Sequence, residues 1–158
     1  MAIILKPPSP IEFDRSLPSV FLAGSIEMGR AAPWQTEVEH ALALESLVIL
    51  NPRRDEWDAT WEQSIQNPNF RQQVEWELAA QEQADLVAFY FAPDTKSPIT
   101  LLELGLMARS GKAIVCCPDG YWRRGNIEVV CARFEIPLLD HLNTLIELVR
   151  RKLRLPTD

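Results

Sequence analysis

The sequence lacks any hydrophobic run near the roughly 18 residues that a membrane-spanning helix needs, so we expect no contact with a membrane. Basic residues are also in deficit, because 16 Lys and Arg stand against 22 Asp and Glu. Binding to a nucleic-acid polymer depends on basic side chains that neutralise phosphates. We therefore expect no nucleic-acid polymer as a partner, whereas small nucleotides remain possible. The apolar start of the chain is interrupted at Lys6 without a cleavage-site pattern, so no signal peptide is expected.

Histidine and cysteine are scarce, with two and three residues respectively. His40 and His141 have no partner at metal-ligand spacing. Cys116 and Cys117 are adjacent in an apolar segment, which argues against a disulfide framework and for a reducing cytoplasm. The chain also has neither a Gly-x-Ser-x-Gly elbow nor the three-glycine dinucleotide fingerprint. We expect no metal and no cofactor, and if the protein is an enzyme, its carboxylates should do the chemistry.

Short apolar runs alternate with amphipathic segments along the chain. We expect a proline-rich arm over 1–18 and a single domain over 19–158. Strands are predicted at 19–23, 47–50, 86–91, 113–117 and 136–138, and helices at 33–44, 70–83, 97–110, 126–134 and 140–153. This alternation predicts an α/β sandwich with helices on both faces of a parallel sheet. Ligands of such folds bind at the carboxyl ends of the strands, at the topological switch point.

Glu103 lies in a predicted helix that is apolar on nearly every side. A buried carboxylate is unfavourable unless it is paired or used, which makes Glu103 a candidate functional residue. A carboxylate that reaches solvent from the helix edge, or that pairs with an Arg, is the structural alternative. Gly105 is also unusual inside a helix and could let a ligand or another backbone approach. Asp85 opens the third predicted strand, at its amino end, where it is readily explained as a turn residue.

Two segments at expected strand ends could bind a ligand. Gly24 and Ser25 can present backbone N–H groups and a hydroxyl, although by themselves they favour a plain tight turn. The loop 51–61 combines arginines and carboxylates with two tryptophans, which suits a flat heterocycle with polar edges. A solvated loop anchored by its tryptophans is the alternative. The charged and aromatic residues of this loop are Arg53, Arg54, Asp55, Trp57, Asp58 and Trp61.

Four segments resemble the nucleoside 2-deoxyribosyltransferase family. They are Val20-Phe-Leu-Ala-Gly-Ser-Ile26, Asn51-Pro-Arg-Arg-Asp55, Ala84-Asp-Leu-Val-Ala-Phe-Tyr90 and Ser97-Pro-Ile-Thr-Leu-Leu-Glu-Leu-Gly105. The resemblance implies a flavodoxin-like, three-layer sandwich with a five-stranded, mostly parallel sheet. It also implies exchange of the base on a deoxynucleoside by double displacement, in a homo-oligomer with shared active sites. Small-molecule nucleosides and free nucleobases would then be the partners.

The same resemblance implies roles for individual residues. Glu103 would be the nucleophile that attacks the anomeric carbon, and Asp85 would handle the base and its proton. Asn126 matches an asparagine that holds the sugar in a neighbouring subunit's site. Ser97 stands where the transferases have an aspartate that binds the sugar, and Asp94 is a possible replacement. The candidate base contacts are Asp55, Trp57 and Asp58, and the candidate sugar contacts are Ser25, Ser97 and Asn126.

A serine in the region of Ser97 is similar to related hydrolases of deoxynucleoside monophosphates, where it helps to hold the 5′-phosphate. Three hypotheses therefore stand after the sequence analysis. The first is a cytoplasmic transferase that exchanges nucleobases on deoxynucleosides. The second is an N-glycoside hydrolase of nucleoside monophosphates that uses the same glutamate. The third is a non-catalytic module that binds a nucleotide.

Overall fold

Short apolar segments form six parallel strands in the computed structural model, which describes residues 1–26 and 33–156. Residues 27–32 and 157–158 of the predicted domain lie outside this description. The strands are β1 (Ile3–Leu5), β2 (Ser19–Gly24), β3 (Val48–Leu50), β4 (Leu86–Tyr90), β5 (Ala113–Cys116) and β6 (Leu138–Leu139). The helices are α1 (Trp34–Ala41), α2 (Pro68–Gln83), α3 (Pro98–Met107), α4 (Arg124–Phe134) and α5 (Leu142–Lys152).

The strand order of the sheet is β1-β3-β2-β4-β5-β6, and every neighbouring pair is parallel. The five strands from β2 onward follow the order of flavodoxin-like folds, which confirms the predicted fold class. The expected number of strands was one too low. Ile3–Leu5, which lies in the segment assigned to the arm, pairs with Val48–Leu50 at the edge of the sheet. This three-residue run is too short to show a strand pattern, and only its pairing with β3 defines it.

The core has two halves because successive strand residues point to opposite faces of the sheet. On one face Val20 and Leu22 pack against α1 and α5. On the other face Phe21 and Ala23 pack in a cluster that includes residues of α2, α3 and α4. The sheet is therefore covered on both sides, as the continuous apolar strands predict. No helix in the two described ranges is long and apolar enough to cross a membrane.

Helix α2 turns a different face to the core from the one that its apolar spacing predicts. The apolar spacing of the predicted helix 70–83 favours Phe70, Val74, Leu78 and Ala79 as core positions, but Val74 is 37% exposed and Leu78 is 39% exposed. The buried residues are instead Gln73, Trp76, Ala80 and Gln81. Trp76 explains this orientation, because its ring packs in the core while its indole N–H donates to the Ser9 carbonyl at 2.8 Å. The expected core face of α2 was therefore wrong.

Candidate functional site

Three buried hydroxyl groups meet near the point where the order of the strands in the sheet reverses. The chain leaves β2 toward β3 and leaves β4 toward β5, so the carboxyl ends of β2 and β4 form the topological switch point. Here Ser25 Oγ lies 2.9 Å from Thr95 Oγ1 and 2.5 Å from Ser97 Oγ, and the last two atoms are 2.7 Å apart. The Ala92 backbone N–H also donates to Ser25 Oγ at 3.0 Å. The structure thus brings Ser25 and Ser97, 72 residues apart, into direct contact.

Two residues at this hydroxyl cluster, Gly24 and Ser97, have distinctive local geometry. A Cβ atom on Gly24 would lie 2.5 Å from both the Trp34 ring and the Tyr90 carbonyl oxygen, so close packing accounts for this glycine. Ser97 occupies the N-cap position of α3, and its backbone is left-handed, with φ of 48°. Its hydroxyl makes no capping hydrogen bond to the helix. Ser97 is therefore an N-cap by position and not through its side chain.

Glu103 lies on α3 and is buried, with 8% of its surface exposed. The side-chain amide of Gln81 on α2 donates to Glu103 Oε2. Burial, together with the charge of Glu77, raises the pKa of Glu103 to about 8. The prediction of a buried carboxylate is confirmed, and its direct partner is an amide rather than an arginine.

Glu77 is a candidate functional residue that the sequence analysis missed. It lies on α2, partly buried, where Gln73 Nε2 donates to its Oε1 at 2.7 Å and to the Pro52 carbonyl at 2.9 Å. Burial raises the pKa of Glu77 to about 7. Gln73, Glu77 and Gln81 recur every four residues and so form one stripe along the helix. That four-residue spacing could have indicated the polar stripe from the sequence alone, but the apolar residues beside it favoured another face of the helix as the buried one.

Glu77 of α2 lies close enough to Glu103 of α3 for its charge to raise the pKa of Glu103, and we call these two residues the carboxyl pair. Gln73 Oε1 and Gln81 Oε1 are buried and have no hydrogen-bond donor among the residues described. A protonated carboxyl group can supply such a donor, whereas an ionised one only accepts. Interacting carboxyl groups of this kind lose their protons as a pair. Around neutral pH the pair therefore holds a proton that lies more on Glu103, whose pKa is the higher, than on Glu77.

Asp85 lies at the amino ends of the strands, whereas the hydroxyl cluster lies at their carboxyl ends. Its carboxylate accepts hydrogen bonds from the backbone N–H and the hydroxyl of Ser19, both at 2.8 Å. Ser19 begins β2 and Ser25 follows its end, and six residues of strand span about 20 Å. Asp85 therefore joins the amino ends of β2 and β4, and the structure does not bring it together with Ser25 and Ser97.

The loop after β3 lies at the carboxyl ends of the strands. Its candidate base contacts interact mainly with each other or with neighbouring segments. Asp58 accepts from the backbone N–H and the hydroxyl of Thr60, at 2.9 and 2.6 Å, and these bonds lower its pKa. Trp57 packs edge-on against Trp61, with ring centroids 5.0 Å apart. Asp55 is exposed, 3.8 Å from Lys6 Nζ.

Asn126 is exposed in the first turn of α4. This helix follows β5 and so begins at the carboxyl ends of the strands. Asp94 is also exposed, in the segment between β4 and α3. The described residues contain no group of three or more His, Cys, Asp or Glu side chains placed to hold a metal ion.

An exposed apolar surface lies on α2 and α3, beside the carboxyl pair. On α3, Ile99, Leu102 and Leu106 are 58%, 60% and 53% exposed, and Gly105 is exposed among them. Ile99 and Leu106 lie four and three residues from Glu103, which puts them on the same side of the helix. These residues, and the exposed Val74 and Leu78 of α2, are apolar side chains of the kind that marks a protein interface.

These features define a flavodoxin-like α/β protein with a hydroxyl cluster at its switch point and a buried carboxyl pair between two helices. A family model described as "Nucleoside 2-deoxyribosyltransferase like" matches residues 17–121. This match covers about two thirds of the chain and runs from just before β2 to Tyr121. The chain belongs to the nucleoside 2-deoxyribosyltransferase-like family. No curated protein gives a significant match to the sequence.

Proposed function

We propose that this protein transfers the 2-deoxyribosyl group between nucleobases by a retaining double displacement. The observation that carries the proposal is the buried carboxyl pair, Glu103 with Glu77, in a chain of this family. Two neighbouring carboxyl groups with raised pKa values suit a nucleophile and a proton donor at a glycosidic centre. Glu77 is preferred to Asp85 as the donor because its charge acts on Glu103, whereas the Asp85 carboxylate is engaged by the backbone N–H and the hydroxyl of Ser19.

The first half-reaction starts when the proton of the pair has moved from Glu103 to Glu77, and the Glu103 carboxylate then attacks C1′ of the deoxynucleoside. A bond forms between Glu103 and C1′, and the bond between C1′ and the base nitrogen breaks. The departing base takes the proton of the Glu77 carboxyl group. The Gln81 amide, which donates to Glu103 Oε2, keeps the nucleophile oriented. The product is a glycosyl ester on Glu103 with inverted configuration at C1′.

In the second half-reaction an incoming base attacks C1′ of the ester. The bond between C1′ and Glu103 breaks, the carboxylate is regenerated, and the N–H proton of the incoming base returns to Glu77. Two inversions give net retention of configuration. If water replaced the incoming base and the substrate were a deoxynucleoside monophosphate, the same steps would release deoxyribose 5-phosphate, which is the hydrolase alternative.

The hydroxyl cluster and the loop after β3 are the proposed substrate contacts. Ser25 and Ser97 would hold the sugar at the switch point, where open α/β sheets bind ligands. Asp55, Trp57 and Asp58 would contact the base from the neighbouring loop. The exposed Asp94 would supply a carboxylate where Ser97 replaces the aspartate implied by the family resemblance.

We also propose a homo-oligomer in the cytoplasm, with a role in nucleotide salvage. The exposed apolar surface of α2 and α3 flanks the carboxyl pair, so a second copy on that surface would exclude water from the reaction. Exposed Gly105 lets a neighbouring helix approach closely. Asn126 would contact the sugar in the adjoining subunit's site.

Chromatography of protein incubated with deoxyinosine, with and without adenine, tests the reaction. We expect deoxyadenosine and hypoxanthine to appear only when adenine and active protein are both present. Glu103→Gln should abolish both products, whereas Glu75→Gln, which alters an exposed carboxylate paired with Arg71, should not. Hypoxanthine without deoxyadenosine would identify a hydrolase. Ligand binding without any product would identify a binding module and contradict the proposal.

A further inference from the structure

A buried carboxyl group on α1 has no part in the exchange steps described above. Glu39 is 9% exposed, on a helix that covers the opposite face of the sheet from α2 and α3. Its Oε1 accepts a hydrogen bond from Asn51 Nδ2 at 2.6 Å, and Asn51, 1% exposed, directly follows β3. Burial of a carboxyl group is unfavourable, so an apolar side chain would fill this position better if packing were its whole role.

The side-chain amide of Asn51 is fixed in one orientation. Its Oδ1 accepts from the Arg53 backbone N–H at 2.9 Å, while its Nδ2 donates to Glu39. An amide has one acceptor end and one donor end, so these two partners exclude the flipped orientation. The Arg53 guanidinium also donates to Gln35 Oε1 at 3.4 Å, and Gln35 lies one helical turn before Glu39. Helix α1 therefore holds both ends of the segment 51–53.

Pro52, in the middle of this segment, connects it to the carboxyl pair. Gln73 Nε2 on α2 donates to the Pro52 carbonyl at 2.9 Å and to Glu77 Oε1 at 2.7 Å. Both partners are acceptors, so the Gln73 amide has to present its nitrogen to Glu77. Without the Pro52 carbonyl in this position, the amide would be free to turn and present its oxygen instead.

The bond from Gln73 decides which oxygen of a protonated Glu77 carries the hydrogen. A neutral carboxyl group has one carbonyl oxygen that accepts and one hydroxyl group that donates. Since Oε1 accepts from Gln73, the hydroxyl group of the protonated form is at Oε2. A proton donor must present its O–H within hydrogen-bond reach of the departing base. A Gln73 amide that turned its oxygen to Glu77 would draw the hydroxyl group to itself and away from the base.

We propose that Glu39 and Asn51 are positioning residues that keep the proton donor, Glu77, correctly oriented for the exchange reaction. They act by holding the Pro52 carbonyl where it binds the Gln73 amide. This inference rests on the proposed function and extends it to a residue on the opposite face of the sheet. The path consists of four hydrogen bonds between 2.6 and 2.9 Å long, and each involves a buried side chain.

Steady-state kinetics of exchange between deoxyinosine and adenine test this role with two variants of Glu39. Glu39→Met has a side chain of similar length without an acceptor, whereas Glu39→Gln keeps an acceptor oxygen for Asn51. We expect Glu39→Met to lower kcat at least about ten-fold and to change KM for deoxyinosine less than about two-fold, because misplacing a catalytic group slows the chemistry rather than binding. Glu39→Gln should keep at least about half of the wild-type kcat. Glu37→Gln, at an exposed position of the same helix, is the matched control and should leave both parameters unchanged.

A double variant separates positioning from a general loss of folded protein. Asn51→Asp places a second carboxylate against Glu39, and two carboxylates in contact repel each other, so kcat should fall as in Glu39→Met. In Glu39→Gln/Asn51→Asp the donor and the acceptor exchange sides and the hydrogen bond is restored. We therefore expect kcat of the double variant to return to within about three-fold of the wild type. Circular dichroism during urea unfolding gives the folded fraction of each variant, and kcat is calculated per folded protein.

The outcomes distinguish this inference from the proposed function. An unchanged kcat in Glu39→Met, or a double variant no faster than Asn51→Asp alone, would overturn the positioning role and leave the proposed exchange intact. A loss confined to KM would also overturn it, because the segment would then act on substrate binding and not on Glu77. A fall in kcat that disappears after correction for the folded fraction would do the same. A wild-type protein without any exchange would contradict the proposed function itself.

Discussion

Replacing Glu103 by glutamine should stabilise the protein while destroying its activity. Burial and Glu77 raise the pKa of Glu103 from 4.5 to about 8. Between these pH values the folded chain holds more protons than the unfolded chain, so the free energy of unfolding falls as pH rises through this window. Glu103→Gln keeps the size of the side chain and removes this ionisation. The new amide can also donate to Gln81 Oε1, which is buried without a donor among the residues described.

The size of the effect follows from the pKa difference. A shift from 4.5 to about 8 corresponds to about 5 kcal/mol at about 1.4 kcal/mol per pH unit. This figure is an upper limit, because Glu77 shares the same protons and keeps its own raised pKa. We expect Glu103→Gln to add about 2–3 kcal/mol to the free energy of unfolding at pH 9. At pH 4.5, where Glu103 is protonated in the folded chain and about half protonated in the unfolded chain, the difference should be under about 1 kcal/mol.

Urea unfolding followed by circular dichroism, at pH 4.5 and pH 9, measures this difference. Protein concentration must be constant, because an oligomer gains stability with concentration. Glu75→Gln is the control, since an exposed helix pair contributes about 0.5 kcal/mol or less. A Glu103→Gln protein that is less stable at pH 9, or equally stabilised at both pH values, would refute the reasoning. Such a result would mean that burial does not raise the free energy of the ionised Glu103 side chain in the wild-type protein.

Three further predictions concern other residues. Glu77→Gln should lower kcat for base exchange about 100-fold or more, because the leaving base loses its proton donor; an unchanged kcat would remove Glu77 from the mechanism. Asp85→Asn should lower the free energy of unfolding by about 1 kcal/mol through weaker bonds to Ser19, with kcat retained; a 100-fold lower kcat would return the donor role to Asp85. Leu102→Lys should shift the protein to monomer in analytical ultracentrifugation and lower exchange activity; an unchanged assembly would show that α3 is not the interface.

The sequence determined the fold class and the burial of Glu103 through local patterns. Apolar runs such as Leu86–Tyr90 are continuous because both faces of a parallel strand are covered. Alternating strands and helices leave few arrangements other than a parallel sheet with helices on both sides. A glutamate among apolar helix residues is unusual wherever the helix packs, so Glu103 could be recognised without knowledge of its neighbours.

Only the tertiary structure decided which residues meet. The apolar spacing of α2 pointed to Val74 and Leu78, but Trp76 packs in the core and bonds to Ser9, 67 residues away. That contact orients the helix so that Glu77 faces α3. Strand β1 likewise exists only because β3 lies beside it. Spacing along one element tells which residues share a face, whereas the face that is buried depends on the partner that packs against it. That partner comes from a distant part of the chain.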